Sequence, residues 1–172
     1  MNKRILSGLI LSLFLLSSLL VGIASAGKGQ TKQSFELELV GSAMKGTTGY
    51  YWITEDNILQ ARDFGFKLTS IQVKVGGEIK AVKEYSCLAD LALDRSTMDG
   101  SIKIKEIITF IDGSTLEIRV SEALFDYTLP TYHTVGSFSG HGTGSLDGVQ
   151  VVGISMADPT GITRTGTIMG WT

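Results

Sequence analysis

The chain is poor in the residues that usually announce a chemistry. Its 172 residues include one cysteine, two prolines and two histidines. A lone cysteine, Cys87, excludes a disulfide framework within the chain, so the domain stands on its core or pairs Cys87 between copies. Cys87 shares a strand face with Tyr85, Ala89 and Leu91 and reads as a small buried hydrophobe. A catalytic thiolate needs a nearby base to lower its pKa, and no histidine is close in sequence. His133 and His141 form no His-x-His pair. There is no Cys-x-x-Cys and no His-Glu-x-x-His, so no metal is expected. A Gly-x-Ser-x-Gly nucleophile elbow is missing. The run Gly140-His141-Gly142-Thr143-Gly144 lacks the Gly-Lys-Ser/Thr ending and the following helix of a phosphate loop, so no cofactor is expected either.

Charge is sparse as well. Charged residues make up 19% of the chain and are scattered singly, which reads as solvated surface. Lys3 and Arg4 belong to the leader described next. Beyond it, 13 basic side chains face 17 acidic ones. Such a domain has no electrostatic reason to bind nucleic acid or an anionic membrane face.

What is present begins with a targeting segment. Lys3 and Arg4 precede an apolar run over residues 5–23, and Ala24-Ser25-Ala26 is a small-residue cleavage site. This pattern predicts a signal peptide over 1–26, cut after Ala26, and a secreted, extracytoplasmic product with no membrane attachment. The alternative is an uncleaved anchor, since the run is long enough to span a bilayer when tilted. Residues 27–33 are polar and predicted to fray. Residues 34–172 are sized for one domain with a substantial core.

Within that domain, period-two alternation dominates. Phe35, Leu37 and Leu39 alternate with Glu36 and Glu38. Ile71, Val73 and Val75 alternate with Gln72 and Lys74, ending at Gly76-Gly77. Residues 78–93 predict one long strand, or two broken by a bulge. Asp99-Gly100 and Asp112-Gly113 are hairpin signals, and Asp158-Pro159-Thr160-Gly161 is a turn. Helical signals are confined to a turn or two after Thr54 and an ambiguous run over 88–93. Eight to ten short strands predict an all-β fold, with a β-sandwich as the alternative to a single antiparallel eight-stranded barrel. The barrel is preferred because consecutive hairpins that close on themselves hide their edges.

One hairpin yields candidates. Ile102, Ile104, Ile108 and Phe110 share a face, as do Leu116, Ile118, Val120 and Leu124. A three-residue loop of Asp112, Gly113 and Ser114 keeps both faces on one side and pairs Phe110 with Leu116. Glu106 and Glu122 then interrupt the apolar face as diagonal neighbours, roughly 7–8 Å apart. Paired carboxylates in an apolar setting raise at least one pKa, and could anchor a ligand or act as an acid/base pair. The bland alternative is that the strand ends leave the barrel there and both side chains reach water. His141 is a further catalytic candidate, accessible among glycines, or simply a loop histidine. Tyr50, Tyr51, Trp52 and His133 are candidates for lining a ligand site, against the alternative of ordinary core and rim packing.

The glycine-spaced tail holds nine of the 21 glycines between Gly136 and Gly170. Its pattern Phe138-x-Gly140-x-Gly142-Thr143-Gly144-x-Leu146-x-Gly148 is followed by Gly153 and by Gly166-Thr167-Ile168-x-Gly170. It resembles the Gly-Thr-Gly-x-Phe-x-Gly signature of allene oxide cyclase-like and dirigent-like barrels. Thr109-Phe110-x-Asp112-Gly113-x-x-Leu116 fits that pattern too. The resemblance covers roughly residues 102–171. It implies an eight-stranded barrel of the calycin-like kind with a ligand cavity, often oligomeric, in which some members cyclise or steer reactive small molecules without metal. Leu146 stands where the signature has an aromatic, and His141 where it has a glycine, and no catalytic residue of the family can be matched. Three functions follow as expectations. They are a secreted barrel that binds a small apolar or amphipathic ligand, a cofactor-independent cyclase or isomerase using Glu106 or Glu122, and a structural or surface-interaction module. For the last, Ile107 and Ile111 point outward and could support a homo-oligomer.

Overall fold

A computed structural model describes residues 31–43, 49–127 and 133–172. The expected leader and its expected cleavage site after Ala26 lie outside the described residues. Among the described residues the architecture is all-β, apart from one 3-10 turn at Gly144–Leu146. The strands are β1 (Lys32–Ala43), β2 (Tyr50–Ile53), β3 (Ile58–Phe64), β4 (Phe66–Val75), β5 (Glu78–Lys80), β6 (Val82–Asp94), β7 (Gly100–Phe110), β8 (Thr115–Phe125), β9 (His133–Thr143), β10 (Gln150–Asp158) and β11 (Gly161–Met169). They form one antiparallel sheet in the order β2-β3-β6-β7-β8-β9-β10-β11-β1-β4-β5. A sandwich would need two.

The sheet is curled, with an apolar concave face. Alternation dictates which residues meet there. Phe35, Leu37 and Leu39 of β1 face Val73 and Val75 of β4, and Ile104 and Ile108 of β7 face Leu116, Ile118 and Val120 of β8; all are buried. Phe35 of β1 and Phe138 of β9 bring their ring centroids to 5.7 Å. These strands are separated in the sheet by β10 and β11, so the sheet must curve to let them touch. At one end Phe110 and Trp171 meet edge to face at 5.2 Å. Gln33 Nε2 donates to the Trp171 carbonyl at 2.7 Å and ties down the chain after β11.

β3 pairs with β6, and β4 pairs with β1. Only Gly65 separates β3 from β4. One bent stretch of chain therefore reaches both flanks of the long-stranded part of the sheet.

Several expectations needed correcting. The stretch after Thr54 is not helical: Thr54–Asn57 makes a tight turn, with Asn57 at φ 62°, and the chain runs on as β3. The ambiguous run over 88–93 is strand. Of the polar segment 27–33 expected to fray, residues 27–30 lie outside the described residues, and Lys32 and Gln33 are strand. The β6–β7 turn lies upstream of Asp99-Gly100, closed by Met98 N–H donating to the Asp94 carbonyl at 2.8 Å. Gly100 instead pairs with Leu93 within the ladder. Residues 78–94 do split, into β5 and β6, with a register shift between Val82 and Glu84. Asp158 and Gly161 pair across a two-residue turn of Pro159 and Thr160.

The β7–β8 register also differs from the expected one. Ser114 pairs back with Phe110, whose N–H donates to the Ser114 carbonyl at 2.9 Å. Ile111, Asp112 and Gly113 form the loop, with Gly113 at φ 85°. Ile108 consequently faces Leu116, and Glu106 faces Ile118. The slip is two residues. An even slip leaves every side chain on its expected face, but it moves Glu122 opposite Ile102, so the two glutamates are not diagonal neighbours.

A buried polar cluster on the concave face

Glu106 and Glu122 are 0% and 4% exposed. They do not reach water at the strand ends, as the bland alternative had it. Each has found different company.

Glu106 sits on β7. Its Oε1 accepts a hydrogen bond from Tyr85 Oη at 2.7 Å, from the neighbouring strand β6. The same oxygen lies 2.9 Å from Nη2 of Arg164. Arg164 is on β11, four places from β7 in the sheet order, so this ion pair crosses the concave face rather than running along a ladder. Arg164 is 0% exposed. The arrangement leaves much unsatisfied. Among the described residues, Glu106 Oε2 and Arg164 Nε, Nη1 and Nη2 have no hydrogen-bond partner, the short Nη2 contact being poorly angled. A guanidinium carries five N–H donors, and leaving buried donors unmade is costly.

Glu122 sits on β8 and is held by hydroxyls. Thr134 of β9 donates to Oε2 at 2.5 Å, and Ser155 of β10 donates to Oε1 at 2.5 Å. Short distances suit hydroxyls donating to a carboxylate. Ser155 and Glu122 are two strands apart, with Gly136 of β9 in register between them. Gly136 has no side chain to separate them. A Cβ there would lie 2.0 Å from the Ser121 carbonyl oxygen and 2.6 Å from Glu122 Cα. The glycine-spaced tail thus makes room for close backbone approach under the polar cluster.

Electrostatics follow from burial. Desolvation pushes the Glu106 carboxyl above its ordinary range. The Arg164 cation and the Tyr85 hydrogen bond pull it back, and the nearby Glu122 adds to the rise. The Tyr85 phenol is pushed up by burial first and then by the charge of Glu106. Burial raises the Cys87 thiol as well, only partly offset by hydrogen bonds from the Phe66 backbone and Tyr85. Cys87 is a free, partly buried cysteine with the character of a hydrophobe. Ile71, Ile102 and Ile162 carry the apolar phase of their strands beyond this cluster and are only partly buried. An apolar, partly accessible lining thus adjoins a buried polar group.

The other candidates lie elsewhere. His141 is exposed, on the opposite face of β9 from its glycine neighbours, and pairs with Gln150 and Glu117. His133 is exposed and stacks on Phe125 at 5.3 Å. Tyr50, Tyr51 and Trp52 are 60%, 71% and 41% exposed on β2, a sheet edge, with Tyr50 and Trp52 stacked at 5.6 Å. Ile111 points outward as expected and is 69% exposed, while Ile107 is half-buried.

Sequence reasoning missed Arg164, Tyr85, Ser155 and Thr134. Arg164 did leave a signal. It falls in the same phase as Ile162 and Ile168, so it is a charge on the apolar face of its strand, as the two glutamates are on theirs.

No protein-family model and no curated protein matches the chain. Among solved structures, one of a protein with unknown function from Clostridium acetobutylicum ATCC 824 is similar at a TM-score of 0.53 and 10% identity, over 81% of this chain and 99% of that one. That likeness supports an all-β, barrel-like fold.

Proposed function

We propose that the chain is a secreted small-molecule binding protein whose ligand is apolar or amphipathic. In this reading β6-β7-β8-β9-β10-β11-β1-β4 close as an eight-stranded barrel, with β4 meeting β6 beside Gly65, where the Phe66 backbone reaches Cys87. The observation that carries the reading is the unsatisfied Arg164–Glu106 pair beside the partly exposed Ile71, Ile102 and Ile162. Small barrels are either filled by side chains or hold one ligand. Buried polar atoms without partners are rare, and each asks for an explanation: strain, a catalytic role, a bound water or ion or, on this reading, the polar end of a ligand. The allene oxide cyclase-like and dirigent-like resemblance of the tail agrees with this reading. Native mass spectrometry of the protein, purified from its own secretion route, tests it. A co-purifying organic molecule is expected, released when Arg164 is replaced. A bare mass from every preparation argues for a filled, structural barrel.

A second reading, a surface-interaction module, draws on the edge strand β2. Tyr50, Tyr51, Trp52 and Ile53 are all exposed there without a charge among them, whereas sheet edges are usually guarded by charge, proline or a bulge. A concentration-dependent mass in sedimentation that Trp52→Lys abolishes would favour it.

A further inference from the structure

The charges of the cluster restrict which polar group could complete it. Three ionisable side chains converge on the concave face: Glu106 from β7, Glu122 from β8 and Arg164 from β11. Among the described residues Tyr85 and Cys87 from β6 also face Glu106, and burial pushes the pKa of both up. One guanidinium therefore faces two carboxyl groups. An incoming anion would compete with both for that guanidinium in a setting that screens charge poorly. An incoming ammonium could satisfy Glu106 Oε2 but would be repelled by Arg164 and leave its nitrogens without acceptors. A plain hydrocarbon would satisfy neither side.

The unsatisfied atoms are themselves complementary. Arg164 Nε, Nη1 and Nη2 need an acceptor, and Glu106 Oε2 needs a donor. We propose, resting on the binding reading above, that the site takes a neutral amphiphile whose polar end carries an acceptor oxygen and a donor hydrogen on neighbouring atoms. Primary amides, hydroxy-ketones and protonated carboxylic acids have that pattern. The ligand oxygen accepts from Arg164, its hydrogen is donated to Glu106 Oε2, and its tail lies along Ile71, Ile102 and Ile162. Arg164 and Glu106 are fully buried, so entry displaces one of these three partly exposed isoleucines. A carboxylic acid enters with its proton, and its apparent affinity therefore falls as pH rises.

The test is displacement of a neutral fluorophore, N-phenyl-1-naphthylamine, from the purified protein by decanamide, decanoate, decylamine and decanol. At pH 8 decanamide is expected to bind about tenfold or more tightly than decanoate or decylamine, as fits a charged hydrogen bond gained or lost. The gap to decanoate should narrow as pH falls. Glu106→Gln removes one negative charge and is expected to strengthen decanoate and weaken decanamide, a reversal that loose packing alone would not produce. Decanoate binding tightest at pH 8 in the wild type overturns the proposed class while leaving the binding reading intact. Failure of the fluorophore and all four competitors to bind overturns both. Should Glu106→Gln not fold, the wild-type series and its pH dependence decide the case.

Discussion

Glu106 and Glu122 occupy the same face of adjacent strands, yet their surroundings differ in kind. Glu122 is complete: two hydroxyls, from Thr134 and Ser155, meet its two oxygens. Glu106 has one oxygen shared between Tyr85 and Arg164 and the other, among the described residues, without a partner. Glu122 draws its partners from β9 and β10, within two strands. Glu106 draws its counter-ion from β11, across the concave face. Neutral donors close at hand satisfy a carboxylate. A single cation reached across the sheet neutralises one but leaves hydrogen-bonding capacity on both sides. On the binding reading proposed above, the Glu122 region would be structural and the Glu106–Arg164 region the place for a ligand.

The contrast breaks most sharply at Arg164. Arg164→Met leaves Glu106 buried without its cation, and a loss of about 3–5 kcal/mol is expected in urea unfolding. Replacing both partners, with Glu106→Leu added, should restore most of that loss, because a buried pair exchanged for apolar side chains is often neutral or better. Gly136→Ala comes next. Its methyl would press on the Ser121 carbonyl and the Glu122 backbone, and overpacking of this kind costs roughly 1–3 kcal/mol. Ser155→Ala strips one donor from Glu122 and should cost about 2 kcal/mol. Tyr85→Phe leaves Arg164 in place and should cost about 1–2 kcal/mol, both losses being read from the same unfolding curves. Ser155→Ala costing nothing would remove the distinction between the two carboxylates.

A further effect is in pH. The folded-state pKa of Glu106 is raised above its ordinary value. The folded protein therefore holds that proton more tightly than the unfolded chain. The resulting stability is fully present below the ordinary carboxylate pKa and is lost as pH rises through the folded value. Comparing wild type with Glu106→Gln from pH 4 upward should show a declining contribution in the wild type that the variant lacks. A contribution that grows with pH would mean the cation outweighs burial.

How much of this was legible from sequence depends on range. Alternation is local, so the inward placement of Glu106 and Glu122 could be read directly, and an even register slip preserved it. The slip itself came from turn chemistry: Gly113 serves a loop that begins at Ile111, one residue earlier than expected. Arg164 lies 58 residues beyond Glu106, and the fact that they meet depends on the strand order and the curl of the sheet, which no local pattern encodes. The glycines hinted at curvature. That Gly136 lets Ser155 reach Glu122 required knowing which strands flank β9. The aromatic run at Tyr50–Ile53 looked like core or ligand lining, and it emerges at an exposed edge because β2 pairs on one side only.

The most direct test of the central claim is a double-mutant cycle between Arg164 and Glu106, using Arg164→Met, Glu106→Leu and their combination in denaturant unfolding. Side chains that meet across the sheet as a coupled pair should show an interaction energy of about 3 kcal/mol or more, at or beyond the top of the usual range for residues in contact. Additive effects, with coupling below about 0.5 kcal/mol, would mean that the two residues are independent and that no cluster spans the concave face.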